Sequence, residues 1–152
     1  MDAWLKTHVA WIIPVATALY MAGGGNYRMA QTRGAIVLMI RGVRENFRIL
    51  RALHIPITPR RLNILQWLPE PLLVVLLRYT LGTKIVEQAI TQHVNAVRDE
   101  MKELADEFKT LATTASLPTP IMDYLYIYLD PSIPPLAKGS SQISLYSKSL
   151  RT

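Results

Sequence analysis

From Ala3 to Tyr27 the chain carries one formal charge, the ammonium of Lys6, in a run that reads WLKTHVAWIIPVATALYMAGGGNY after Ala3. A helix apolar on nearly every side has to be covered on nearly every side, so the fold must be built around this segment. An ammonium in such surroundings costs several kcal/mol unless a partner or a wet cleft relieves it. Two readings follow. Either the helix starts at a surface and Lys6 reaches out to water, or Lys6 faces a site.

A membrane span or export signal is the weakest reading of this segment. Val9 to Gly25 is uncharged for 17 residues, the lower limit for crossing a bilayer. Pro14 interrupts it and three glycines end it, while Asp2 opposes Lys6 in what would be the basic start of a signal peptide. A second apolar run, Ile64 to Leu77, is broken by Pro69, Glu70 and Pro71 and reads as core. The expectation is a cytoplasmic protein with no membrane partner.

The remainder reads as helices. Trp4 to Ala22 is the central helix, ended by Gly23-Gly24-Gly25-Asn26. Thr32 can cap a helix reaching about Leu53, whose apolar positions Ile36, Ile40, Val43, Phe47 and Leu50 recur at helical spacing. Thr58-Pro59 and Thr119-Pro120 each offer a capping hydroxyl followed by a proline suited to the first helical position. Pro71 to Leu81 is a greasy helix closed by Gly82. The longest element is expected from Thr83 to Thr114, with a heptad-like stripe from Val86 through Val97 and Met101 to Leu111. Only Tyr124 to Leu129 alternates with a period of two. After Asp130, prolines lead into a basic Lys/Gly/Ser-rich tail, read as a loosely held extension. The predicted organisation is one all-α domain over residues 1–130 and a tail over 131–152.

Composition narrows the chemistry. With no cysteine among 152 residues, disulfides, thiol nucleophiles and cysteine zinc sites are excluded, which fits a reducing compartment. The net charge of +6 is concentrated between Tyr27 and Arg61, where eight arginines face Glu45 alone. That stripe is either a solvated helix face or a surface for another protein, with nucleic acid the lesser alternative. His8 and His54 have no acid or histidine at ligand spacing, and His93 has no histidine one turn on, so no metal is expected. Gly23-Gly24-Gly25 follows a helix and not a strand, so it is a terminator and not a dinucleotide-binding turn. Trp4, Trp11 and Trp67 read as core. Tyr124, Tyr126 and Tyr128 read as core or as one wall of a cleft. Glu100 falls on the edge of the long helix's apolar stripe, together with His93 and Glu107. From spacing alone it is a solvated acid in the Arg98-Asp99-Glu100 cluster, although a boundary carboxylate can exchange protons if burial raises its pKa.

Trp4-Leu5-Lys6 opening a long apolar helix, Asp99-Glu100-Met101, Leu117-Pro118-Thr119-Pro120 and Asp123-Tyr124-Leu125 together resemble the C-terminal domain of ketopantoate reductases (2-dehydropantoate 2-reductases). The resemblance covers about residues 3 to 130. It implies an all-α domain of the type found in 6-phosphogluconate dehydrogenase-like and ketopantoate reductases, the pantothenate-biosynthesis oxidoreductases. In that family a Rossmann domain binds NADPH and the helical domain supplies the substrate side of the cleft. By resemblance, Lys6 would be the catalytic proton donor to the reduced ketone oxygen, Glu100 its catalytic acidic partner, and Asn26 a substrate-binding amide. Where the family carries asparagines four and eight residues after the lysine, this chain has Ala10 and Pro14, so the substrate is expected to be ketopantoate or another 2-oxo acid. No Gly-rich βαβ unit is present, so NADPH would need a separate or missing Rossmann domain. The expectation is a homodimer-forming substrate half of an NADPH-dependent 2-oxo acid reductase, inactive alone. The alternative is a non-enzymatic helical interaction domain, for dimerisation or nucleic-acid binding, with an arginine-rich face.

Overall fold

The computed structural model describes residues 2–139, and all of their regular structure is helical. Helix α1 (Ala3–Met21) is the axis of the domain, buried from Thr7 to Met21 except at His8 and Trp11. Its main neighbour is α3 (Arg33–Ala52), and the crossing is organised by Pro14. Proline has no N–H, so the carbonyl of Ala10, four residues earlier, loses its partner within the helix. Asn46 of α3 supplies one: its Nδ2 donates to that carbonyl at 3.0 Å, in a buried position. One turn earlier on α3, Gly42 lets the two helices close. A Cβ there would lie 3.0 Å from the Cβ of Pro14 and 3.2 Å from Leu125 Cδ1.

Between these two residues sits Glu45, 2% exposed. Its carboxylate accepts from the backbone N–H groups of Ile121 (3.2 Å) and Met122 (2.8 Å) at the start of α9 (Pro120–Tyr126). Those are orphan donors of a helix start, here satisfied from a neighbouring helix. Burial pushes the Glu45 carboxyl above its usual range, with the two N–H groups and Arg48 opposing the shift.

The end of α1 leaves no carbonyl of its last turn unpaired. Ala22 N–H bonds Ala18, Gly23 N–H bonds Tyr20 and Gly24 N–H bonds Leu19. This is a Schellman closure, which needs left-handed backbone, and Gly23 (φ 93°) and Gly24 (φ 79°) supply it. The Met21 carbonyl takes the N–H of Leu136 at 2.9 Å, and the Arg28 guanidinium holds the Leu136 carbonyl in return. The segment after Asp130, expected to be loose, is thus fastened to α1 as far as Leu136. The rest of the expected tail, residues 140–152, lies outside the described residues.

Elsewhere the structure corrects the sequence reading. The long helix expected from Thr83 to Thr114 is divided. Residues 84–96 comprise α6 (Lys84–Val86), a π-helical turn (Glu87–Thr91) and α7 (Gln92–Ala96). At Val97 the backbone leaves helical geometry (φ −116°), and α8 (Arg98–Ala115) begins afresh. The Tyr20 hydroxyl donates to the Val94 carbonyl at 2.6 Å beside this break, and the Arg98 guanidinium sits 4.2 Å over the Tyr20 ring. Burial raises the Tyr20 hydroxyl to about 12, so it remains a donor. Thr58-Pro59 does not start an α-helix. The bond is cis, and Pro59 leads only into a 3-10 turn (Arg60–Asn63) and the short α4 (Ile64–Trp67). The Thr58 N–H instead donates to the buried Thr7 hydroxyl of α1.

The arginine stripe is only partly a wet face. Arg41 makes a two-pronged pair with Glu70, at 2.8 and 3.0 Å, joining α3 to α5 (Glu70–Leu81). Arg44 donates to the carbonyls of Leu65 and Leu68 and so closes the end of α4. Arg48, Arg51, Arg60 and Arg61 stay exposed. The run from Ile64 to Leu77 is core on one side only. Leu73, Val74 and Leu81 of α5 are buried, whereas Leu72, Val75, Leu76 and Tyr79 form a bare stripe along it, and Ile64, Trp67 and Ile85 are exposed as well. Trp67, read as core, is 79% exposed, and Trp4 is also exposed. A helix apolar all round needs covering on both sides, and the described residues cover one.

Candidate functional site

Helices α1 and α8 pack antiparallel. Tyr20, near the end of α1, meets Arg98 at the start of α8, and Lys6, in the second turn of α1, meets the second half of α8. The two ends meet around a hollow of about 200 Å³ lined by Lys6, Val9, Glu107, Phe108 and Leu111. Lys6 is half-buried, Glu107 is exposed at the rim, and Phe108 and Val9 are buried in the wall. Lys6 takes part in no ion pair among the described residues. Lys6 and Glu107 thus bring an ammonium-bearing and a carboxylate-bearing side chain to one hollow whose walls are otherwise apolar. Such an arrangement can hold a small anion or pass a proton to an oxygen that develops negative charge.

The acid that shares this hollow is Glu107 and not Glu100. Glu100 lies in the first turn of α8, exposed, where a carboxylate favourably meets the helix dipole. Seven residues of helix separate the two acids by about 10 Å along the axis, on the same edge. Lys6 and Glu100 are brought to the same helix pair but not to the same hollow. The heptad position of Glu107 was visible in the sequence. Which of the two acids meets Lys6 depends on where α1 crosses α8.

Asn26 has a structural place. It is 1% exposed, and its side-chain amide donates to the carbonyls of Leu81 (2.8 Å) and Thr83 (3.2 Å). It ties α2 (Asn26–Gln31) to the junction of α5 and α6, so its amide donors are committed to backbone carbonyls.

The opposite face of α1 carries Trp4, His8 and Trp11. His8 stacks on Trp4, with ring centroids 5.4 Å apart, and meets Trp11 edge-on at 5.3 Å. Burial lowers the pKa of His8, helped by the nearby His93. Among the described residues, no group of three or more His, Cys, Asp or Glu lies together as a metal site. No described helix is long and apolar enough to cross a membrane. The tyrosines near the end of the chain divide their roles. Tyr128 is buried core, while the Tyr126 hydroxyl donates to Asp106, beneath Lys109 at 4.4 Å from the ring. No family model, no curated protein and no solved structure matches this chain.

Proposed function

We propose that the chain is the helical, substrate-side half of a ketopantoate reductase-like 2-oxo acid reductase, with Lys6 as its proton donor. The observation that carries this reading is the hollow that Lys6 shares with Glu107. The ammonium polarises and protonates an oxygen arriving from the mouth, and the carboxylate orients it and balances its charge. Glu107 takes the place that the resemblance gives to Glu100, and Asn26 has no part.

The described residues do not fit NADPH. They contain no strand, and the Gly23-Gly24 pair is used to close α1. Nicotinamide chemistry would come from a Rossmann domain outside these residues. The test is to mix the chain with an NADPH-binding domain of a ketopantoate reductase and follow NADPH oxidation across a panel of 2-oxo acids. Turnover is expected only from the mixture. Lys6→Met should lower it about 10²- to 10⁴-fold, the usual worth of a positioned acid, and Glu107→Gln should cost more than Glu100→Gln. Turnover that is indifferent to Lys6 refutes the assignment.

A second reading, a helical interaction domain that forms homodimers, is favoured by a different observation. The bare stripe along α5, with Ile64 and Trp67 of α4 also exposed, is aromatic and aliphatic surface of the kind that two copies bury between them. A two-fold axis across it would cover the same patch on both copies. Nucleic acid is the weaker partner, because Arg41 and Arg44 are committed within the fold. A DNA or RNA complex would show steep loss of affinity with salt.

A further inference from the structure

Away from Lys6, on the Trp4–His8–Trp11 side of α1, two hollows share Trp11 and Leu62 as a common wall. The larger holds about 260 Å³ between α1, α3, α5 and the helix that contains the π turn. Its walls include Met39, Ile40, Leu77 and Ile90, and its only polar lining residue is Thr80. The smaller holds about 180 Å³ and is of opposite character, with Arg61, His8 and Thr58 beside Trp4. Among the described residues no acid lines either one. Arg61 and its neighbour Arg60 are exposed, and neither makes an ion pair among the described residues.

An apolar slot against a cationic, aromatic-walled hollow is the shape of a single-chain anionic amphiphile. We propose that this chain binds a medium-chain fatty carboxylate, its alkyl tail in the apolar hollow and its head group on Arg61 beside His8. The tail length follows from volume. A methylene is slightly smaller than the roughly 30 Å³ share of a water, so the larger hollow takes about nine carbons. Closely packed interiors seldom leave an opening of this size between aliphatic walls, and a ligand tail completes it. The head needs a cation that no internal acid has claimed, and Arg61 offers the planar fork that matches a carboxylate. The site lies on the face of α1 opposite Lys6, so it stands or falls apart from the reductase reading.

The test is titration of the full chain with sodium butyrate, octanoate, decanoate and palmitate, read by calorimetry and by Trp fluorescence. Affinity should rise about fourfold per methylene up to decanoate and then level off as the slot fills. Decyltrimethylammonium, with the same tail and a cationic head, should bind at least tenfold more weakly. Anionic phospholipid vesicles separate a free acid from a membrane surface, and binding to vesicles in preference to monomeric decanoate overturns the proposal. Arg61→Glu should weaken decanoate binding tenfold or more. Thr80→Phe, at an exposed rim position, should block the tail while leaving thermal unfolding in place. Absence of one-to-one decanoate binding by the wild type, or binding indifferent to both substitutions, refutes the site.

Discussion

The contact that most sharply tests the packing account is Asn46 on the Ala10 carbonyl. Asn46 is fully buried, and only its Nδ2 has a partner, since its Oδ1 is buried without one. In Asn46→Leu the branched shape is retained, but the Ala10 carbonyl loses its only side-chain donor among the described residues. Pro14 cannot replace that donor, because it has no N–H. An orphaned buried acceptor costs about 1–3 kcal/mol, and removing the already unpaired Oδ1 returns part of that. The expected net loss is about 1–2 kcal/mol.

The decisive quantity is the coupling to Pro14. In Pro14→Ala an amide N–H reappears four residues after Ala10, and the helix can satisfy its own carbonyl. Asn46→Leu should then cost much less. The double-mutant cycle should show about 1 kcal/mol of coupling, whatever Pro14→Ala does alone. Urea unfolding midpoints at constant slope give all four corners. A cycle additive within about 0.3 kcal/mol would mean that Asn46 does not act as the stand-in for the missing proline N–H.

Other expectations follow from the same structure. Gly42→Ala puts a methyl 3.0 Å from a ring that cannot swing away, so it should destabilise by about 1–3 kcal/mol in thermal or urea unfolding. His54 closes α3 with left-handed backbone (φ 58°), so His54→Gly should stabilise by up to about 1 kcal/mol, read as a raised urea midpoint. Because the folded-state carboxyl of Glu45 titrates above its ordinary 4.5, its favourable contribution is complete below pH 4.5 and is lost as pH rises through the raised value. Glu45→Gln should therefore gain stability relative to wild type across that rise, and a difference flat with pH contradicts it. Trp67→Asp with Tyr79→Asp should turn a concentration-dependent dimer into a monomer in sedimentation velocity while leaving the unfolding temperature of the monomer unchanged. A wild type that is monomeric at every concentration refutes that interface.

Much of the helix punctuation was legible because it is local. Pro120 starts α9 as expected, although the Thr119 hydroxyl donates to the Asp123 carboxylate and does not cap the helix. Gly82 follows α5, and the glycine run ends α1 through bonds that span only six residues. What was illegible depends on partners distant in sequence. The break at Val97 interrupts a faultless apolar stripe, and beside it the Val94 carbonyl is claimed by Tyr20, 74 residues away. Arg41 and Arg44 step along a helix like any wet stripe, yet Glu70 and the carbonyls of Leu65 and Leu68 turn them inward. The apolar periodicity of α5 correctly signalled burial for Leu73 and Val74. It could not signal that nothing among the described residues covers Leu72, Leu76 and Tyr79.

The candidate site shows the same division more acutely. The edge of α8 that faces α1 was readable, since His93, Glu100 and Glu107 share it by simple helical arithmetic, and Lys6 stood out as a lone charge. Choosing between Glu100 and Glu107 requires the sliding position of one helix on the other. That position is fixed by pairs such as Tyr20 with Val94 and Arg98, and by the π turn and the break that precede α8, none of which has a local signature. Transferring a role by spacing from the Thr119-Pro120 motif selects Glu100, whereas the packing of α1 selects Glu107. The two substitutions Glu100→Gln and Glu107→Gln therefore separate inheritance by sequence position from placement by the fold, and only a larger loss at Glu107 than at Glu100 supports the chemistry assigned to the Lys6 hollow.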